Sequence, residues 1–427
     1  MLKAINILLK KSRHRKLTAY FDEQSSFVRT VYNQALYIER QLFTAYGRET
    51  LHDNQKRVAE NCEKLGFHDA MYLNYYRMEK YFRNYHSEYF HSAMSSQCVQ
   101  NAIRRACTDM DSYYRALKSS QSHPEKFLSK PEMPSYCKRE HKSYFITNQD
   151  CKVRENLNLK FPKTKLELNI GKLPEDYVRL KQVEVVPWYD SYKVVIQYES
   201  KKEEVKTGKD GRCIGIDLGV NNFAAIAGSE EAIIISGARI KSVNHYFNKQ
   251  RAQLKSKQAV KDPKNKYYET SWMKRLSRKR QCWMDDYMHK VSRYVINYCT
   301  EHNITTIVVG RNRWWKQGVD KGKKNNQNFT CIPHYRFIQM LEYKGRMEGI
   351  EVIKQEEAFT SKASFIDRDE FSWSGLTGKR VHRGLYVTRD GTKLNGDING
   401  AANILRKQYS DIEISKETLE TLTVIKM

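Results

Sequence analysis

Residues 213–227 read CIGIDLGVNNFAAIA, and this stretch decides how the rest of the chain is interpreted. Ile214 and Ile216 alternate with glycine, and Asp217 follows them at the end of the run. A turn-like GVNN leads into a second apolar run, and a third follows at residues 232–235. Short β-rich runs separated by turn residues predict consecutive antiparallel strands, with Asp217 at the end of the first. An acid in that position is either a metal ligand or a solvated turn residue.

The downstream pattern predicts an α/β domain. Residues 284–298 carry an apolar stripe typical of a core helix, and residues 304–309 form a continuous apolar run typical of a buried strand. A helix is predicted over 333–349, a strand over 350–355, and a last helix from Asp397. The resulting order, β-β-β-α-β-α-β-α with two strands reached by crossovers, is that of the ribonuclease H-like fold.

The first half of the chain has a different organisation. Residues 1–10 alternate as one strand, and residues 21–117 have a helical pattern with few glycines. A basic, proline-marked linker at 119–142 precedes residues 144–205, which are rich in short strand patterns. We predict a small β-barrel or sandwich, completed by the N-terminal strand, from which the helices project.

Composition indicates the class of partner. The chain has 427 residues and a formal charge of +26, from 75 Lys and Arg against 49 Asp and Glu. An excess of this size, spread along the whole chain, favours a polyanion, most simply a nucleic acid. The 28 Tyr and 6 Trp suit base stacking beside phosphate contacts.

The cysteines set limits on metal sites and on location. Nine are scattered without any C-x-x-C pair, which predicts neither a structural zinc nor a disulfide framework. The odd count and the lack of a secretory signal favour a reducing cytoplasm. The apolar run at residues 5–9 is too short to span a membrane, so no membrane partner is predicted.

Two helical segments are candidate nucleic-acid surfaces. The polar residues of the segment 95–118 include Gln97, Gln100, Asn101, Arg104 and Arg105. A face of this kind can read base edges in a DNA groove, but it is more commonly a solvated face. Arg275, Arg278 and Arg280 precede the apolar stripe of the later helix. They fit both a solvated basic extension and a helix lying along a nucleic-acid backbone.

The acids at the strand ends suggest phosphodiester chemistry. Hydrolysis by this fold uses carboxylates that hold two Mg²⁺ ions. Asp217 supplies the first carboxylate, and Asp397 in NGDINGAANIL supplies the last, because the small residues around it let its helix pack close to the sheet. Gly310 stands where a middle acid is expected. We predict that Glu357, or alternatively Glu356, replaces it from the end of the next strand, although a solvated Glu pair is the alternative.

Four sequence motifs together resemble the TnpB family of transposon-encoded RNA-guided nucleases, which is related to compact type V CRISPR effectors. They are IGIDLGVNN, IVVGRNRWWKQG with KKNNQNF, EEAFTSKASF, and RGLY with NGDINGAANI. The resemblance implies that residues 1–20 begin a wedge β-barrel, 21–125 form a helical recognition insertion and 126–208 complete the barrel. It implies that residues 209–427 form a RuvC nuclease domain.

The resemblance also implies roles for the acids and shows where this sequence departs from the family pattern. Asp217 and Asp397 match the first and third RuvC acids, and Glu357 lies in the E-x-F-T-S context that carries the relocated glutamate in some members. Ser364 stands where the family's zinc ribbon has its first cysteine, so residues 364–394 are predicted to be a cysteine-free remnant.

The implied function is RNA-guided DNA cleavage next to a short flanking motif. The implied partners are a guide RNA and double-stranded target DNA, with two Mg²⁺ ions as cofactors. The expected assembly is a monomeric ribonucleoprotein in the bacterial cytoplasm, at the nucleoid when on target. The alternative is a nuclease-dead RNA-guided repressor, and a third interpretation is a strand-joining transposase, which the helical insertion disfavours.

Overall fold

A computed structural model describes residues 1–68, 70–92, 94–201, 205, 211–264, 268–311, 327, 330–382 and 384–427 of the chain. The chain divides into two compact units, Met1–Lys202 and Glu203–Met427, which we call the N-terminal unit and the C-terminal unit. Each unit has its own buried apolar residues.

The helices of the N-terminal unit pack through apolar stripes at helical spacing. They are α1 (Arg15–Ala45), α2 (Asp53–Lys64), α3 (Tyr75–Tyr85) and α4 (Ser96–Ser122), with short 3-10 turns at Ser87–Tyr89 and Pro124–Lys126. The buried positions of α1 include Val28, Val31 and Ala35, which recur every three to four residues. Helix α4 begins where the Ser95 hydroxyl accepts a hydrogen bond from the Cys98 amide at 3.2 Å, a favourable N-cap.

The strands of the N-terminal unit form two antiparallel sheets. They are β1 (Leu2–Lys10), β2 (Tyr144–Thr147), β3 (Lys152–Val153), β4 (Asn158–Lys160), β5 (Glu167–Asn169), β6 (Tyr177–Trp188) and β7 (Ser191–Ser200). One sheet has the order β1-β7-β6-β2, and the other has the order β3-β4-β5. The N-terminal strand does join the later strands, through β7. Among the described residues the pairing gives two separate sheets, so the β-barrel of the predicted barrel or sandwich is not confirmed.

The C-terminal unit is built on one six-stranded sheet. Its strands are β8 (Arg212–Leu218), β9 (Asn222–Gly228), β10 (Ala232–Ser236), β11 (Ile304–Gly310), β12 (Glu351–Gln355) and β16 (Leu422–Ile425). The order is β12-β11-β8-β9-β10-β16, with β9 antiparallel to its neighbours and β11 and β12 parallel to β8. Apart from β16, which the sequence analysis did not predict, this is the ribonuclease H-like order.

Helices cover both faces of this sheet, and a small sheet accompanies it. The helices are α5 (Ala238–Lys261), α6 (Ser271–Glu301), α7 (His334–Glu348), α8 (Gly396–Gln408) and α9 (Lys416–Glu420). The small sheet consists of β13 (Lys379–His382), β14 (Leu385–Val387) and β15 (Lys393–Leu394). Ile214 and Ile216 pack with α6 and α7 on one face, while α8 packs on the other.

Glycine lets α8 approach the sheet closely. Gly215 alternates with Ile214 and therefore faces α8. A Cβ at this position would meet the Ala401 carbonyl and would lie 2.9 Å from the Leu405 Cβ. The close approach brings the start of α8, and with it Asp397, to the end of β8. No helix among the described residues combines the length and the apolar character needed to cross a membrane.

Candidate active site

Two of the predicted acids, Asp217 and Glu357, lie at the ends of strands on either side of Gly310, at one edge of the six-stranded sheet. Val309 pairs with Ile216, so the next residues on these neighbouring parallel strands are Gly310 and Asp217. Gly310 in turn pairs with the last residue of β12, two positions before Glu357. The ends of β8, β11 and β12 therefore lie side by side, because parallel strands end at the same edge of a sheet.

Asp217 is enclosed between the sheet and α8. Gly400 of α8 packs directly on its carboxylate, since a Cβ at position 400 would lie 2.8 Å from Oδ2 of Asp217. Burial, reinforced by the negative charge of Asp397 and partly offset by Arg380, raises the pKa of Asp217 to about 7. The anionic form of Asp217 is thus costly here unless further positive charge is supplied.

Asp397 is held by two side chains from other elements. It lies in the first turn of α8, whose N-cap Asn395 accepts hydrogen bonds from the amides of Asp397 and Ile398 at 2.9 and 3.3 Å. Its Oδ1 accepts a hydrogen bond from Nη2 of Arg380 at 2.6 Å, and its Oδ2 accepts one from Nδ2 of Asn222 at 2.8 Å. Both members of the ion pair are mostly buried.

Glu357 occupies the space that a side chain at position 310 would need. A Cβ built on Gly310 would lie closer than 3.0 Å to both Oε1 and Cγ of Glu357. Glu356 points elsewhere, because it is 61% exposed and pairs with Nζ of Lys407 at 3.1 Å. Of the two glutamates, Glu357 is therefore the one beside the position from which the expected acid is missing. Its role in catalysis stays a prediction.

Two asparagines of α8 fix the loop that follows Glu357. Asn403 donates hydrogen bonds to the carbonyls of Thr360 and Ala363 at 3.0 and 2.7 Å, and Asn399 donates to the same Ala363 carbonyl at 2.8 Å. Both asparagines are fully buried. The helix that carries Asp397 thus also positions the loop next to Glu357.

The segment 364–394 is organised around a buried carboxylate. Asp369 accepts hydrogen bonds from the amides of Ser364 and Thr377 at 2.7 and 3.1 Å. Burial alone would raise the pKa of Asp369, but the hydrogen bonds from Thr377 and Ser364 lower it overall. Arg406 of α8 binds the Asp369 carbonyl at 2.7 Å. These contacts hold Thr377 in place. Arg380 follows three residues later and binds Asp397.

The donor chemistry of this site fits a divalent cation. Carboxylates are the ligands that Mg²⁺ prefers, and a cation would offset the burial and the neighbouring Asp397 charge that together raise the pKa of Asp217. Within the described parts of the chain, however, no three His, Cys, Asp or Glu side chains are grouped to hold one ion. As placed, Asp397 gives its oxygens to Arg380 and Asn222 instead.

The structure separates the predicted α4 residues by environment. Gln97 is hydrogen-bonded to Thr147 and Gln149. Gln100 donates to Glu79 of α3 at 2.8 Å. The other members are Asn101, which lines a cleft between α4 and residues 142–145, and the exposed Arg104 and Arg105 of the same cleft. The two glutamines are therefore engaged within the protein.

The three predicted arginines of α6 also differ. Arg275 is exposed, with its guanidinium 5.1 Å from the ring centroid of Trp272. Arg278 is only 8% exposed. Arg280 donates to Asn244 Oδ1 at 2.7 Å and to the Cys331 carbonyl at 2.6 Å, so it holds α6 to α5 and to the segment before α7. Of the three, Arg275 is the one open to a nucleic acid.

Sequence reasoning missed Arg380, Asn222 and the asparagine pair of α8. Asn399 and Asn403 had a usable signal, since two asparagines four residues apart on a small-residue helix share one face. Arg380 had none, because its approach to Asp397 depends on the path of the segment before α8.

Sequence comparisons find related proteins over most of the chain. A family model described as "Probable transposase" matches residues 195–315, and one described as "Cas12f1-like, TNB domain" matches residues 334–404. A TnpB-like protein of Acidianus two-tailed virus is 24% identical over 396 residues, covering 82% of this chain and 82% of that protein. A TnpB-like protein of Methanocaldococcus jannaschii is 24% identical over 153 residues, covering 34% of this chain and 53% of that protein.

Structural comparisons match nearly the whole chain at low identity. A Cas12f1–sgRNA–target DNA complex gives a TM-score of 0.46 at 13% identity, covering 93% of this chain and 86% of that one. The mini-RNA-guided endonuclease CRISPR-Cas_phi3 gives a TM-score of 0.46 at 11% identity, covering 95% and 92%. Residues 312–326, which carry much of the motif IVVGRNRWWKQG with KKNNQNF, lie outside the described residues.

Proposed function

We propose that this chain is a member of the TnpB family and an RNA-guided DNA endonuclease with a RuvC-type site formed by Asp217, Glu357 and Asp397. The observation that carries the proposal is the complementarity between Gly310 and Glu357. The carboxylate fills the place that a side chain at position 310 would take, which supports replacement of the missing acid from the adjacent strand end. A protein that only binds DNA has no need for such a replacement.

We propose that Asp217, Glu357 and Asp397 hold Mg²⁺ at this site. Bound Mg²⁺ supplies activation of a water molecule and stabilisation of the leaving oxygen in phosphodiester hydrolysis. Asp217, with its pKa of about 7, gives up its proton when positive charge arrives nearby. Asn222 keeps Asp397 turned toward the end of the sheet, and Gly400 leaves room for the Asp217 carboxylate.

Arg380 competes with a cation for Asp397. The Arg380→Gln variant should bind Mn²⁺ about tenfold more tightly than the wild type. In the wild type the cation must displace a mostly buried, charge-assisted hydrogen bond between Arg380 and Asp397, and in the variant that bond is absent. The measurement is titration of the metal by electron paramagnetic resonance in the absence of DNA. Arg389→Gln, an exposed arginine of the same segment, is the control. Unchanged or weaker Mn²⁺ binding by the Arg380 variant would contradict this competition.

Sequence-specific DNA binding is expected to require a copurifying RNA. The formal charge of +26 and the family relationship support this expectation. Nuclease treatment of the purified protein should reduce the affinity for a guide-matched site to that for a scrambled site. Affinity should also fall about 10³-fold between 50 and 200 mM salt, because Lys and Arg release counterions from phosphates. Undiminished site specificity after RNA removal would exclude RNA guidance.

We propose that the N-terminal unit is the wedge domain, with residues 21–125 as its recognition insertion, and that the cleft beside α4 contacts the DNA flank. Asn101, Arg104 and Arg105 line that cleft together with Lys142. Arg104→Ala and Arg105→Ala together should change the flanking sequences selected from a randomised library while leaving guide-RNA affinity within threefold. An unchanged flank preference would exclude this surface.

A nuclease-dead RNA-guided repressor is the second candidate function. The observation that favours it is the ion pair between Arg380 and Asp397, which neutralises a required carboxylate. The test is whether guide-matched DNA is cut or only bound by the wild-type ribonucleoprotein when Mg²⁺ is present.

A further inference from the structure

The turn that joins β8 to β9, residues 219–222, links two of the candidate acids. Asp217 lies two residues before the turn begins. Asn222, its last residue, donates a hydrogen bond to Oδ2 of Asp397 at 2.8 Å. A change in the conformation of this turn would therefore move Asn222, and with it the carboxylate of Asp397, relative to Asp217.

The β8–β9 turn is held from within and from helix α5. A Cβ at Gly219 would lie 2.6 Å from the carbonyl oxygen of Asn222, so a larger residue does not fit without a shift. The Gly219 amide donates to the Phe223 carbonyl at 3.2 Å. From α5, Nζ of Lys241 donates to Oδ1 of Asn221 at 2.8 Å. These contacts leave the turn little freedom on the side of α5.

His334, the first residue of α7, holds the same turn from a third element. Its Nε2 lies 3.1 Å from the carbonyl oxygen of Gly219. Because a carbonyl only accepts hydrogen bonds, Nε2 carries the hydrogen and donates it. The imidazole is 1% exposed and lies nearly parallel to the Phe223 ring, with an interplanar angle of 12° and ring centroids 6.1 Å apart. Both the hydrogen bond and the ring contact thus join His334 to the turn and its next residue.

The start of α7 is itself fixed to the rest of the C-terminal unit. Arg280 of α6 donates to the Cys331 carbonyl at 2.6 Å, and the His334 amide donates to the carbonyl of the buried Ile332 at 3.0 Å. A buried imidazole costs free energy unless its N–H is paired, and the group that pairs with it here belongs to the turn. An apolar side chain would fill this space without fixing the turn.

We propose that His334 is a positioning residue, whose hydrogen bond to Gly219 sets the β8–β9 turn and so the placement of Asp397 relative to Asp217. Its effect on metal binding rests on the proposed function, whereas the hydrogen bond belongs to the metal-free protein. Two carboxylates share bound cations only at a defined separation, so a shift of the turn should weaken metal binding. His334 acts through the turn and not on the substrate.

The test compares substitutions in the purified ribonucleoprotein without DNA. His334→Phe keeps an aromatic ring against Phe223 and removes the donor. It should bind Mn²⁺ about tenfold more weakly in an electron paramagnetic resonance titration. Hydrogen–deuterium exchange at the amides of residues 218–223, measured in EDTA, should become about tenfold faster. His334→Gln supplies an amide N–H in place of the ring N–H, and should bring both quantities back to within about twofold of the wild type.

Met340→Ala is the control for lost stability. Met340 is a buried residue of the same helix and belongs to the same apolar core. Its loss lowers the melting temperature through a cavity and leaves the donor at His334 in place. Mn²⁺ affinity and exchange of residues 218–223 should stay within about twofold of the wild type.

The tautomer of His334 gives a measurement on the wild type. In protein labelled with ¹⁵N-histidine, long-range proton–nitrogen correlation should show the hydrogen on Nε2, with the His334→Gln spectrum assigning the signal. A bare Nε2 would overturn the proposal, even if His334→Phe did not fold. If that variant did not fold, a hydrogen on Nε2 together with near-wild-type His334→Gln would support it.

The outcomes separate this inference from the proposed function, because none of these measurements needs cleavage. A looser turn and weaker Mn²⁺ binding in His334→Phe, both restored in His334→Gln, support positioning even if the wild type never cuts. Wild-type exchange of the turn in His334→Phe would overturn it even if the enzyme cuts normally. Equal effects of His334→Phe and Met340→Ala, or a looser turn with unchanged Mn²⁺ affinity, would show a structural role only and would also overturn it.

Discussion

Replacing Glu357 by glutamine should lower the single-turnover rate of guide-matched DNA cleavage by at least about 100-fold, while guided binding changes by less than threefold. Glutamine keeps the shape of the side chain beside Gly310 and removes the charge that would hold Mg²⁺. Loss of a group that stabilises transition-state charge has effects of at least this size. Asp217→Asn and Asp397→Asn should have the same effect. Cleavage is followed on a linear DNA in Mg²⁺, and binding is followed by gel shift in EDTA.

Glu356→Gln is the matched control for this experiment. Glu356 is the neighbouring residue, has the same chemistry, and pairs with Lys407 at the surface. Its loss should leave the cleavage rate within threefold of the wild type. If Glu356→Gln abolished cutting while Glu357→Gln did not, the acid would come from the right strand end but from the other glutamate. If neither change mattered in an active enzyme, no relocated acid would exist.

Replacing Gly310 by alanine should nearly abolish cleavage and destabilise the C-terminal unit. The added Cβ would meet Glu357 and would lie 2.6 Å from Cδ1 of Ile404, so the glutamate or the helix must shift. Overpacking of this kind costs about 1–3 kcal/mol of the free energy of unfolding. Displacement of a metal-holding carboxylate by 1 Å is expected to cost about 100-fold in rate. Thermal melting and single-turnover cleavage measure the two effects.

Gly384→Ala is the control, because a Cβ there would meet no atom within 4 Å. A second experiment moves the acid from position 357 back to position 310. Gly310→Glu alone should be inactive, and Gly310→Glu with Glu357→Gly should regain cleavage above either single variant, because the acid then returns to the end of β11. Wild-type cleavage and melting of Gly310→Ala would show that Glu357 does not depend on this space.

The sequence was sufficient to predict the positions of Asp217 and Asp397. Apolar alternation ends at Asp217, and the small residues around Asp397 indicated a helix packed on the sheet. The choice between Glu356 and Glu357 needed coordinates, because both follow the same strand and only the packing against Gly310 separates them.

Contacts that depend on long-range packing could not be predicted. Arg380 reaches Asp397 because hydrogen bonds of Asp369 to Thr377 and to Arg406 fix the segment that precedes Arg380. No sequence periodicity encodes the path of that segment. Arg280 belongs to a basic run that predicted nucleic-acid binding, yet its guanidinium is used to join helices. Strand β16 was missed because it has only four residues and its side chains are mostly exposed, so it lacks the continuous apolar run of a buried strand.

The measurement that tests the central claim most directly is cleavage of guide-matched DNA by the wild-type ribonucleoprotein in Mg²⁺, with Glu357→Gln and EDTA as parallel reactions. If Asp217, Glu357 and Asp397 form a RuvC-type site, the wild type should cut only the matched DNA and only with Mg²⁺, and the variant should bind the same DNA without cutting it. A wild type that binds matched DNA in Mg²⁺ and leaves it intact would contradict the nuclease and support the repressor.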